Sequence, residues 1–138
     1  MKRIPVITIF ILVVFSKITG QDDDSLKFKS LAPYDFPLEY LKTDTALLID
    51  VREFFEYKKK RIKGAVNIPS SGNLRFAADT IDKERALFIY CTSGFRSKRS
   101  SREFYDLGFH NLYNLDGGIS AWKKDGYPVE RKRLRKRK

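Results

Sequence analysis

The feature that most constrains this chain is the run Ala86-Leu87-Phe88-Ile89-Tyr90, the most apolar stretch beyond residue 20, which ends abruptly at Cys91. Five apolar residues without a polar break are too few for a buried helix and fit a strand hidden on both faces. Such a strand belongs in a sheet covered by helices on both sides. The neighbouring segments agree. Thr45 to Ile49 is a second short apolar run, ending at Asp50, and Gly64 to Pro69 is a third, stopped by its proline. Asn111 to Leu115 reads as another strand. Between them lie helix-like stretches: Glu53 to Lys60, Asn73 to Thr80, Ser97 to Leu107 with Gly108 as its stop, and Ile119 to Lys124 before Asp125-Gly126. Strands alternating with helices predict an α/β fold around a parallel sheet.

At 138 residues the chain is one domain's length and can bury a core without covalent staples. Its formal charge of +11 sits at the ends. Residues 21–130 hold 18 basic and 17 acidic side chains, close to neutral. Residues 1–20 carry Lys2, Arg3 and Lys17 and no acid, around an apolar run from Ile4 to Phe15. That run is short for a membrane span, which needs roughly 20 residues. The expectation is a signal peptide over 1–20, cleaved after Gly20, and hence an exported, periplasmic or secreted protein with no span after cleavage. An uncleaved N-terminal anchor is the rival. Residues 21–28, with Asp22-Asp23-Asp24, are expected to be a mobile acidic segment, and 129–138 a disordered basic tail. Arg131 to Lys138 is basic at seven of eight positions, which suits an anionic partner. No aromatic residue is interleaved there, so no specific nucleic acid is implied.

One Cys and one His exclude an internal disulfide and a zinc site of the usual kind. A lone Cys is either a small buried hydrophobe or a reactive thiol. Its surroundings favour the second. Cys91 stands at the end of the predicted central strand, where ligands of parallel sheets bind. Thr92-Ser93-Gly94-Phe95-Arg96-Ser97 follows, with the next helix opening near Ser97. A short loop of this kind can aim several N–H groups at one point. The helix N-terminus and Arg96 add positive potential, drawing the thiol pKa from about 8.5 toward neutrality. Gly94 allows backbone that other residues resist, and Ser93 or Ser97 is a candidate helix cap. For Arg96 the competing role is a surface salt bridge.

Cys91-Thr92-Ser93-Gly94-Phe95-Arg96-Ser97 resembles the rhodanese active-site loop. Leu48-Ile49-Asp50-Val51-Arg52 with Glu56-Tyr57, Ile62 to Pro69, and Leu107 to Leu112 with Leu115 to Trp122 resemble that family's other motifs in order. The resemblance covers about residues 29–128, taken as the domain. It implies a small, mostly parallel sheet of about five strands with helices on both faces. It also implies sulfur transfer: the Cys91 thiolate takes the outer sulfur of thiosulfate or a similar small anionic donor, and the persulfide passes it to a thiol or cyanide acceptor. The loop from Thr92 to Ser97 would hold the donor or the persulfide, and Arg96 would orient the donor or brace the loop. No metal and no cofactor are implied. Asp50 and Arg52 are expected to support the site through hydrogen bonds and ion pairs. Thr92 stands where the family often has Arg or Gln, and Lys60-Arg61 where it often has Gly-His.

Two other readings compete. Cysteine phosphatases and arsenate reductases place five residues between Cys and Arg, whereas only Thr92, Ser93, Gly94 and Phe95 intervene here. A cradle one residue smaller disfavours a tetrahedral oxyanion. A sulfur carrier, redox sensor or binding module on the same scaffold would keep the loop without turnover. His110 is expected at a surface turn, and Trp122, Phe109 and Tyr113 in the core.

Overall fold

A computed structural model describes residues 23–131. The proposed signal run and residues 132–138 of the basic tail lie outside the described residues. Five strands form one sheet: β1 (Lys29–Leu31), β2 (Leu47–Asp50), β3 (Val66–Asn67), β4 (Leu87–Tyr90) and β5 (Leu112–Leu115). Their order is β1-β5-β4-β2-β3, and every pairing is parallel. The apolar run Ala86 to Tyr90 therefore supplies the middle strand, Leu87–Tyr90, with all four of its residues buried.

The helices are α1 (Asp35–Lys42), α2 (Phe54–Lys59), α3 (Leu74–Ala78), α4 (Phe95–Asp106) and α5 (Gly118–Lys124). The alternation of side chains along β4 divides the core in two. Leu87, Ile89 and Cys91 point to one face, with Leu74 and Ala78 of α3 and Phe104 of α4. Phe88 and Tyr90 point to the other, with Phe36 of α1, Tyr57 of α2, and Ile119 and Trp122 of α5. Phe88 is fixed there by Tyr113, stacked at 4.4 Å, and by the edges of Phe36 and Tyr40. Among the described residues no helix is long and apolar enough to cross a membrane.

Several expectations need correction. Asp24–Leu26 is a 3-10 turn, not part of a mobile segment. Its Asp24 carboxylate forms a two-pronged ion pair with Arg102, and Phe28 is buried. At the other end, Arg61 and Glu130 bridge through their backbones and pair through their side chains at 2.7 Å, so Val129 and Glu130 belong to the folded body. The strand β1 and helix α1 were not anticipated. The strands after them are shorter than their apolar runs, and α4 opens at Phe95, two residues before the expected start.

Candidate active site

All five strands run in parallel, so their carboxyl ends share one rim, and Cys91 follows the last residue of the middle strand there. The turn after it is made tight by Gly94, whose φ of +100° lies in the left-handed region that glycine tolerates. Gly94, not Ser93 or Ser97, occupies the cap position of α4, and no side chain caps that helix. The turn folds back over the sulfur. The Gly94 N–H donates to Cys91 Sγ at 3.1 Å, and the Ser97 hydroxyl stands 3.4 Å from Sγ and 3.2 Å from the Gly94 carbonyl. The single Ser97 proton can serve only one of them, and a thiolate is the stronger attraction.

Cys91 is buried, at 1% exposure. The turn wraps the sulfur instead of presenting it to solvent. Burial by itself pushes the thiol up. The Ser97 hydroxyl and the N–H groups of Ser97, Gly94 and Ser93 outweigh it, and the pKa lies below the ordinary thiol value. These are the interactions that stabilise a charged sulfur in a small, dry cradle.

A glycine pair, Gly117-Gly118, packs against this turn. The N–H groups of Ile119 and Ser120, at the start of α5, donate to the carbonyls of Cys91 and Thr92 at 2.8 and 3.0 Å. This approach leaves no room for a side chain at Gly118, where a Cβ would stand 2.5 Å from the Cys91 carbonyl oxygen and 2.6 Å from Thr92. In the sequence Gly117-Gly118 stands within a motif but shows no partner. The signal was only the doubled glycine at a helix start.

Arg96 is not free to meet a ligand alone. Its guanidinium forms a two-pronged ion pair with Glu56, at 2.7 and 2.9 Å, and donates to the Thr92 hydroxyl at 3.0 Å. Thr92 in turn donates to Glu56 at 3.1 Å, so the two ends of the loop are clamped to the start of α2. Glu56 also accepts from the Glu53 N–H, completing a capping box. Arg96 above all holds the Glu56 carboxyl down, to about 2, and Glu56 raises Arg96 above its ordinary value. Glu56 lies forty residues from Arg96, and nothing in its local spacing pairs the two.

Asp50 and Arg52 form a separate buried pair. Arg52 donates through Nε and Nη2 to the Asp50 carboxylate, the shortest contact being 2.7 Å, and its backbone N–H adds another bond at 2.9 Å. The Arg52 guanidinium also holds the Lys60 carbonyl. Asn67 ties the backbone carbonyls of Asp50 and Arg52 together. Burial opposes the charge on Arg52, but Asp50 prevails and raises its pKa. The Arg52 side chain bonds to Asp50 and to the Lys60 carbonyl, not to Sγ. Ser93 and Phe95 are exposed at the loop surface, and His110 is exposed against Tyr105 on the far side. Trp122 and Phe109 are buried and Tyr113 half-buried. Among the described residues no cluster of three or more His, Cys, Asp and Glu is placed to hold a metal ion.

This turn, wrapped about one cysteine at the end of a middle parallel strand, coincides with a family match. Residues 38–125 match the Rhodanese-like domain. The chain belongs to the rhodanese-like family. A rhodanese-related protein from Thermoplasma volcanium is 31% identical, with a TM-score of 0.64 over 74% of this chain and 97% of that one. A rhodanese-like domain protein from Staphylococcus aureus is 25% identical, with a TM-score of 0.64 over 75% and 98%. Among curated proteins, a tRNA uridine(34) hydroxylase from Hamiltonella defensa is 36% identical over 63% of this chain and 27% of its own length. That from Yersinia pestis is 30% identical over 80% and 35%. The chain thus spans about a third or less of those relatives.

Proposed function

We propose that this rhodanese-like domain is a sulfurtransferase that works through a Cys91 persulfide. The observation that carries the reading is the turn closed over Sγ, with the Gly94 N–H and the Ser97 hydroxyl aimed at the sulfur in a setting that lowers the thiol pKa. The thiolate attacks the outer sulfur of thiosulfate. The bond to the sulfonate breaks, sulfite leaves with its electron pair, and Cys91 keeps the sulfur as an anionic persulfide. The same donors stabilise that anion, much as an oxyanion hole serves an oxygen. A thiolate or cyanide then attacks the outer sulfur and releases the Cys91 thiolate. Arg96 serves as the loop's brace, because its Nη1 and Nη2 groups are engaged by Glu56 and Thr92.

The test compares thiosulfate:cyanide turnover with hydrolysis of an aryl phosphate. Sulfur transfer that vanishes in Cys91→Ser supports the reading. Phosphate hydrolysis without sulfur transfer would replace it with phosphatase chemistry. Stable persulfide without turnover would make the domain a carrier. A second reading, favoured by the identity to the curated hydroxylases, is modification of a tRNA uridine. Incubation with tRNA followed by nucleoside mass analysis tests it.

A further inference from the structure

Large apolar side chains exposed on one part of a surface usually mark a binding site. Phe55, Phe76 and Phe95 are each between 71% and 77% exposed. They lie in the opening turns of α2, α3 and α4, the helices that follow β2, β3 and β4. Those strands are neighbours in a parallel sheet, so all three rings stand on the rim that holds Cys91. Phe55 lines an open cleft of about 320 Å³ with Lys59, Lys60, Lys123, Arg52 and the loop residue Thr92, and its one carboxylate, Glu56, is already paired with Arg96. Crowding by Arg131, Lys123 and Lys59 holds the Lys60 amine below its ordinary value, the mark of cations gathered without enough counter-charge.

Thiosulfate and cyanide have no use for phenyl rings. Aromatic anchors mark a protein-binding surface, and the lysines at their flank favour a partner that carries acid. Stacking of single-stranded RNA would instead want cations tracking a backbone between the rings, and Lys59, Lys60 and Lys123 share one cleft on one flank. A partner seated on this rim lies next to the Cys91 turn, where a sulfur acceptor has to arrive.

We propose that Phe55, Phe76 and Phe95, with Lys59, Lys60 and Lys123, dock an acidic, partly apolar segment of a protein whose cysteine takes the sulfur from Cys91. The proposal rests on the sulfur-transfer reading above and names its acceptor class. The partner's thiolate attacks the outer sulfur of the persulfide. A new sulfur–sulfur bond forms on the partner, the bond to Cys91 breaks, and Cys91 departs as thiolate. No external oxidant or reductant is consumed.

The test uses the full chain loaded with thiosulfate. Three short peptides serve as acceptors, each with one cysteine between leucines and flanked by glutamates, glutamines or lysines. Loss of the persulfide is followed by mass spectrometry. The acidic peptide should react about tenfold faster than the neutral one at low salt, and the advantage should shrink as salt rises. Phe55→Ser with Phe76→Ser should slow transfer to the acidic peptide, and Lys59→Gln with Lys123→Gln should remove its advantage. Thiosulfate:cyanide turnover and the melting temperature should stay at parent values in both. Equal rates for the three peptides, with normal turnover to cyanide, overturn the docking surface and leave sulfur transfer standing. Tighter binding of an RNA oligonucleotide or of anionic vesicles than of the acidic peptide overturns it too. If Cys91 takes up no sulfur at all, both readings fall.

Discussion

Replacing Glu56 by Gln tests whether the clamp between α2 and the sulfur loop carries stability as well as shape. In the parent, both carboxylate oxygens accept from Arg96, at 2.7 and 2.9 Å. An amide keeps one acceptor and turns a donor toward a guanidinium that has only donors. The Glu56 carboxyl is lowered from an ordinary 4.5 to about 2, with the Arg96 hydrogen bonds as the largest cause. Each tenfold change in acidity is worth about 1.4 kcal/mol, so the undamped value is about 3 kcal/mol. Arg96 and Glu56 are 30% and 22% exposed, and water screens part of that attraction, leaving a loss of about 1–2 kcal/mol. The sign with pH follows from the direction. A carboxyl whose folded value lies below its unfolded one stabilises the fold fully above about pH 4.5 and loses that contribution as pH falls toward 2. Urea unfolding of parent and Glu56→Gln at a series of pH values should therefore show a gap at neutral pH that narrows steadily below about pH 4.5. Other acids titrate in both proteins and drop out of the difference. A gap that stays constant down to pH 2.5, or no gap at pH 7, would refute the clamp.

Gly118→Ala should cost at least about 2 kcal/mol in chemical denaturation and depress sulfur transfer, because its Cβ meets the Cys91 and Thr92 backbone at 2.5–2.6 Å and φ is +60°; parent-like stability would refute that close approach. Asp50→Asn leaves the buried Arg52 without its counter-charge and should lose roughly 3 kcal/mol, with a smaller effect on transfer per folded molecule; a rate loss larger than the stability loss would give Asp50 a part in the chemistry. Ser97→Ala removes the largest of the interactions that lower the Cys91 thiol, so the midpoint of its pH-dependent alkylation should rise relative to the parent. An unchanged midpoint would transfer that role to the backbone N–H groups alone.

The parts of the fold that were legible in the sequence are those where local pattern and burial coincide. The Ala86-to-Tyr90 run reads as a buried strand because all of its side chains are buried. The strand Lys29–Leu31 carries no such pattern: it is three residues at the sheet edge, with two exposed, and it exists by pairing with Tyr113 to Leu115, more than eighty residues away. Helix α1 is masked by Pro37, which its first turn tolerates because an N–H there has no partner within the helix. At the site, Cys91, Gly94 and Arg96 announce themselves within one loop. Their partners do not. Glu56 meets Arg96, and Gly118 meets the Cys91 carbonyl, only through tertiary contacts that join separate elements on the rim. The burial of Cys91 was likewise not readable from the loop, since it depends on how closely Gly94 turns the chain back over the sulfur.

The central claim is tested most directly by weighing the intact protein after exposure to thiosulfate and removal of the excess. One added sulfur atom, mapped to the peptide containing Cys91, absent in Cys91→Ser and discharged by cyanide, is the predicted result. An unaltered mass under conditions where the folded protein's thiol is shown to be reduced would contradict it.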